Sequence, residues 1–173
     1  MKSFTLVEAL VVFSLFILIL GSIFYTLTLG RQTQDISFEK LYLLNKLASI
    51  SLLISKELRK TNYSHITDLN GNSLVSDTLY KGIRFSLPQI DNQGNKIWSS
   101  DYIEYDLNTT RFLRRTPDGQ NSLLENVSFS SESGFIYRGV ENKLEVIINC
   151  TKSLPLGREL TQEVRWAVFL RNR

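Results

Sequence analysis

From Ala9 to Leu29 the chain runs twenty-one residues without a charge, and most of these residues are apolar. A helix rises about 1.5 Å per residue, so this run is roughly 30 Å long, the thickness of a bilayer's hydrocarbon core. A cleaved secretory signal has an apolar stretch of only about 7–15 residues before a small-x-small cut site. The run here is longer, and helical patterning continues beyond it, which predicts a retained anchor. Lys2 precedes the run and Arg31 follows it, so the basic residues give little orientation bias.

Composition sharpens this division. The 173 residues are 43% hydrophobic and 21% charged, and the mean hydropathy of −0.07 hides a chain whose first thirty positions carry only Lys2 and Glu8 as charges. Length allows one domain of ordinary size, or a small domain plus an anchor. A single cysteine, Cys150, excludes an intrachain disulfide and a Cys-rich zinc site. A single histidine, His65, leaves little material for a metal site or a catalytic triad. The net charge of +3 is too small to imply a nucleic-acid partner without a basic cluster.

Glu8 is the residue that this composition makes conspicuous. A carboxylate at the edge of an apolar helix is costly unless paired, and points to a function by default. The plainer alternative seats it at headgroup level. Its neighbours, Phe4-Thr5-Leu6-Val7-Glu8-Ala9-Leu10, closely resemble the amino-terminal motif of type IV pilins and of type II secretion pseudopilins. The resemblance covers roughly the first thirty positions. It implies cleavage by a prepilin peptidase between Ser3 and Phe4, methylation of the new amine at Phe4, and a role for Glu8 in subunit assembly. There the carboxylate would neutralise the amine of a neighbouring subunit, each group relieving the other's desolvation. Ser3 stands where the family usually has glycine, and the leader is only Met1-Lys2-Ser3.

Beyond the membrane run the helical period persists. Leu43, Leu47, Ile50, Ile54 and Leu58 share one helix face, Asn45, Ser49, Lys56 and Lys60 the opposite one. Leu41, Leu44, Leu52 and Leu53 are expected to widen the apolar stripe. The register lasts too few heptads for a coiled coil. No proline occurs before Pro88, so the two halves can form one helix ending near Thr61-Asn62, after the cations Lys56, Arg59 and Lys60.

After Asn62 the pattern changes to short alternating runs. Strands are expected at 82–87, ended by Pro88, then at 102–107, 111–115, 126–130, 135–138, 144–149 and 164–170. Ile103, Tyr105 and Leu107 share one face, as do Val164, Trp166, Val168 and Leu170. An antiparallel sheet covering the amphipathic helix gives an α+β domain; with the family resemblance, the expectation is the pilin fold. The implied divisions are a leader at 1–3, a transmembrane and filament-core half-helix at 4–30, an amphipathic half at 31–61 and a β-rich domain outside the membrane at 62–173. Leu124-Glu125-Asn126-Val127-Ser128-Phe129 and the terminal Phe169-Leu170-Arg171-Asn172 look like J-type minor pseudopilins, and like the F-type minor pilin of Gram-positive competence systems. Glu8 argues against the K-type tip subunit, which typically lacks it.

Nothing in the sequence suggests an enzyme. His65 reads as a surface or cap residue. Asp68-Leu69-Asn70-Gly71-Asn72 resembles a calcium loop, but the required glycine and bidentate glutamate positions hold Ser73 and Leu79, so it reads as a turn. Arg111, Arg114 and Arg115, near Tyr102, Tyr105 and Phe112, raise a single-stranded nucleic-acid patch against a solvated strand face. Cys150 reads as a buried apolar residue. No catalytic, cofactor or metal residues are assigned. The resemblance implies a minor pilin or pseudopilin: a single-pass membrane subunit, partnered by prepilin peptidase, other minor pilins and the major pilin, and assembled into an extracellular filament. A tip receptor for DNA or a host ligand, and a single-pass membrane protein outside the family, are the competing readings.

Overall fold

A computed structural model describes residues 5–170 of the chain. Among the described residues one helix, α1 (Leu6–Leu58), is followed by ten strands and two short 3₁₀ turns, so the fold is α+β. The chain divides into two compact units between Leu41 and Tyr42. The first holds the apolar part of α1, where every residue from Leu6 to Gly30 is exposed.

In the second unit, two antiparallel sheets share a core with the end of α1. The first sheet has the order β1 (Ile66–Asp68), β3 (Gly82–Ile90), β4 (Lys96–Leu107), β5 (Arg111–Thr116), β6 (Gly119–Glu125). The second runs β10 (Arg158–Phe169), β9 (Lys143–Leu154), β8 (Gly134–Arg138), β2 (Leu79–Tyr80), with β7 (Ser128–Phe129) also on β9. Leu43, Leu47, Ile50, Ile54 and Leu58 are buried and join one cluster with Ile83, Phe85, Tyr105, Phe112, Phe135 and Ile148. The expected helix face is therefore the packing face. Leu44 and Leu53 are half-buried beside it. Leu41 and Leu52 are exposed instead, because each stands two residues, about 200° around the helix, from the buried stripe.

The strand expectations hold best where alternation is clean. Ile103, Tyr105 and Leu107 are buried on one face of β4, and Val164, Trp166, Val168 and Leu170 point inward from β10 and its end. Pro88 does not end β3. The register shifts between Ser86 and Pro88, and the strand resumes with Pro88 opposite Trp98. The flanking β1 pairs only with Ile83, Arg84 and Phe85, so the proline breaks no ladder on that side. The run 126–130 contributes only Ser128–Phe129, since Asn126 sits at φ 58° and turns the chain from one sheet to the other. Strands β1, β2 and β6 lack an alternating apolar signal and escaped the pattern. The helix proper stops at Leu58, and 3₁₀-type bonds from Lys60 to Glu57 and Thr61 to Leu58 close its end. The buried Thr61 hydroxyl then donates to the Ser86 carbonyl at 2.9 Å, fixing the exit to β3.

Lys81 organises the connection between β7 and β8. Its Nζ donates to the carbonyls of Ser131 at 2.8 Å and Ser133 at 2.6 Å, and partial desolvation of this otherwise exposed side chain holds its pKa below the usual lysine value. Ser133 is itself stitched to β9 through both polar groups of Asn149's backbone. Lys81→Met, which keeps the stem and removes the donors, should cost about 1 kcal/mol. Hydrogen exchange should show faster opening of residues 130–134 than elsewhere in the domain.

Candidate functional site

The apolar part of α1 is a surface with one functional group at its start. Among the described residues before Arg31, Glu8 is the only charged side chain. Large residues such as Leu10, Phe13, Phe16, Leu18 and Phe24 are each more than half exposed. By its length and composition this helix could cross a membrane. The hydroxyls in the run agree with that environment. Ser14 donates to Leu10 O, Ser22 to Ile19 O, Thr26 to Ser22 O and Thr28 to Phe24 O, each at 2.8 Å. Each is thus satisfied inside the helix, as hydrocarbon requires.

Glu8 has local partners that its sequence setting had not assigned. The Thr5 backbone N–H donates to Oε2 at 3.0 Å, and the Thr5 hydroxyl lies 3.1 Å from the same oxygen. In return the Glu8 N–H donates to Thr5 Oγ1 at 3.3 Å. This reciprocal pair is a capping box, with Thr5 as cap and Glu8 at the third helical position. Its signal was available in the Thr-x-x-Glu spacing. The expected processing residues Ser3 and Phe4 lie outside the described residues, as do Lys2 and the terminal Arg171 and Asn172.

A second carboxylate marks the other end of α1. Glu57 lies on the packing face, three residues after Ile54, and is buried. Tyr105 on β4 donates its hydroxyl to Oε2 at 2.6 Å. Arg114 on β5 grips both oxygens, Nη2 to Oε1 at 2.6 Å and Nε to Oε2 at 3.3 Å. Burial, then the bond to Glu57, pushes the Tyr105 phenol far above its usual range, while Glu57 raises the Arg114 guanidinium. A glutamate at a core position of the stripe was the available signal; its partners, distant in sequence, were not.

The basic aromatic patch, the less favoured reading beside a solvated strand face with core aromatics, does not form. Arg114 is spent on Glu57, and Arg115 pairs with Asp106 at 3.0 Å and Glu104 at 3.4 Å. Tyr105 and Phe112 are core residues, and only Tyr102 is exposed, with Arg84 over its ring. Of the three arginines, Arg111 alone opens to solvent without an ion pair among the described residues.

Asp68–Asn72 is a turn. Asp68 Oδ1 accepts from the backbone N–H of Asn72 at 2.7 Å and of Asn70 at 2.9 Å. Asp91 does the same with Asn95 at 2.7 Å and Gln93 at 2.9 Å, at the tip of the β3–β4 hairpin. Backbone donation from Asn72 and Asn95 respectively holds both carboxyls below the usual range, and Arg138 does so for Asp77. Their folded pKa values lie below the unfolded ones, near 3.9 for Asp. The stabilisation is therefore complete above about pH 5, a unit above the unfolded value, and is lost as pH falls through the unfolded and then the folded values. Melting temperature should be flat from about pH 7 to 5 and fall steeply below about pH 4. Substituting Asp68→Asn and Asp91→Asn together should flatten that fall.

His65 is half-buried rather than superficial, its ring stacked 3.8 Å from that of Trp98. Cys150 is fully buried, and desolvation pushes its thiol up to about 11, so it is inert at neutral pH. No family model matches the chain, and no curated protein or solved structure matches it either.

Proposed function

We propose that the chain is a minor pilin or pseudopilin, a membrane-anchored subunit that assembles into a type IV pilus-like filament. The observation that carries this reading is the placement of Glu8. It stands in the first turn of a helix whose next twenty-two residues are exposed and uncharged. A helix of that composition serves equally as a bilayer span before assembly and as a strand of an apolar filament core afterwards. The buried face farther along α1, under an α+β domain, is what a pilin fold requires. Prepilin peptidase would trim the precursor before Phe4, and Glu8 would meet the new amine of a neighbouring subunit. The other minor pilins and the major pilin are the partners, and priming of assembly near the filament tip is the role.

The direct test is mass spectrometry of the mature amino terminus in the native host. A chain beginning at methylated Phe4 is the expected result. An intact Met1 would leave an unprocessed single-pass membrane protein and overturn the reading.

A further inference from the structure

The first sheet carries four arginines, and three are neutralised within the domain: Arg84 by Glu104, Arg114 by Glu57, Arg115 by Glu104 and Asp106. Arg111, at the start of β5, is the exception. In the strand register it stands opposite Glu125, yet the two form no ion pair. Arg111 instead lines an open cleft of about 280 Å³ together with Thr110, Asn126, Ser128, Thr151 and Ser153.

The cleft lies at the seam where the chain leaves β6 and enters β7. Asn126, in the left-handed region at φ 58°, makes that crossing. The Phe129 N–H donates to the Thr109 carbonyl at 2.9 Å, which fixes the β4–β5 turn bearing Thr110 and Arg111 against β7. Ser128 and Thr151 are direct register partners on β7 and β9. The lining is therefore held by both sheets. Val127, its one apolar member, is buried. Thr151 shares its hydroxyl with Thr161 at 3.0 Å. The side chains of Thr110, Asn126, Ser128 and Ser153 are committed to no other described residue.

The chemistry of this lining is specific. One guanidinium offers a planar fork of donors that fits a carboxylate. Around it, hydroxyls and one amide can each donate and accept. A simple oxyanion would use only their donating half. A strand of nucleic acid needs several cations along its backbone and stacking faces, and neither is present in the cleft. A ligand with one carboxylate and several hydroxyls uses every group. We propose that this cleft binds a sugar acid, its carboxylate on Arg111 and its hydroxyls on Asn126, Ser128 and Ser153. The proposal does not depend on filament assembly.

The test uses the full chain in neutral detergent micelles, titrated with sodium glucuronate and followed by ligand-observed NMR. Saturable binding in the roughly millimolar range is expected. Glucose and sodium phosphate should each bind about tenfold more weakly, and Arg111→Gln should lose about tenfold for glucuronate. Ser153→Phe, which fills the cleft and keeps the charge, should lose binding too. Both positions are exposed, so unchanged melting temperatures will show that the variants fold. A hyaluronan tetrasaccharide distinguishes sources: tighter binding assigns an acidic polysaccharide, equal binding a single sugar acid, and both sustain the proposal. Absence of saturable glucuronate binding would overturn it. So would phosphate or glucose binding as tightly as glucuronate, or an Arg111→Gln variant that binds normally.

Discussion

Arg114→Ala lowers the stability of the domain by about 3–5 kcal/mol, a fall of roughly 10–15 °C in melting temperature. The magnitude comes from what is left behind. Glu57 is buried on the packing face of α1, and Arg114 supplies two of the three hydrogen bonds to its carboxylate. Without the guanidinium, a charge stays in the core with only the Tyr105 hydroxyl beside it. The same reasoning predicts that removing more costs less. A triple variant carrying Glu57→Leu, Tyr105→Phe and Arg114→Met leaves no orphaned polar group and replaces the cluster with apolar volume. It should be more stable than Arg114→Ala alone, because a buried ion pair is worth little net of desolvation. Thermal and urea unfolding of the three forms decide this. A single-variant loss below about 1 kcal/mol would mean that water reaches Glu57 and that the cluster is a surface pair.

What the sequence disclosed and what it concealed divide along one physical line. Periodicity is local, so the packing face of α1 and the inward faces of β4 and β10 were readable from their spacing. Pairings across the chain are not local. Glu57 and Arg114 stand 57 residues apart, and the sheets alone bring them together. Arg114 and Arg115 therefore looked like free positive charge when they are internal counterions, and Arg111 looked like one member of a patch. The turn at Asn126 was hidden for a related reason. A single left-handed residue leaves the apolar pattern of its neighbours intact while dividing their strand between two sheets. Thr5 was legible by spacing alone, since a capping box needs only three residues of separation.

That capping box makes the assembly role of Glu8 separable from its structural one. On the filament reading, Glu8→Ala and Glu8→Gln should both reduce the chain in the sheared filament fraction, by roughly tenfold or more, while the precursor accumulates normally in the membrane. Glutamine is the informative substitution. It can still accept from the Thr5 N–H at 3.0 Å, the contact the carboxylate now makes, so it preserves the cap and removes only the charge. Thr5→Ala is its complement. It abolishes both Thr5 hydroxyl contacts and leaves the carboxylate in place for a neighbour's amine. Incorporation of Thr5→Ala should therefore stay within about twofold of the unaltered chain, since a weakened cap frays only the first turn. Quantitative blotting of sheared and membrane fractions measures all three. If glutamine assembles normally and Thr5→Ala does not, Glu8 is a helix cap and the charge-pairing mechanism is wrong. If both charge-removing variants fail while Thr5→Ala assembles, the carboxylate acts between subunits, because every hydrogen bond it makes with a described residue of its own chain has then been accounted for.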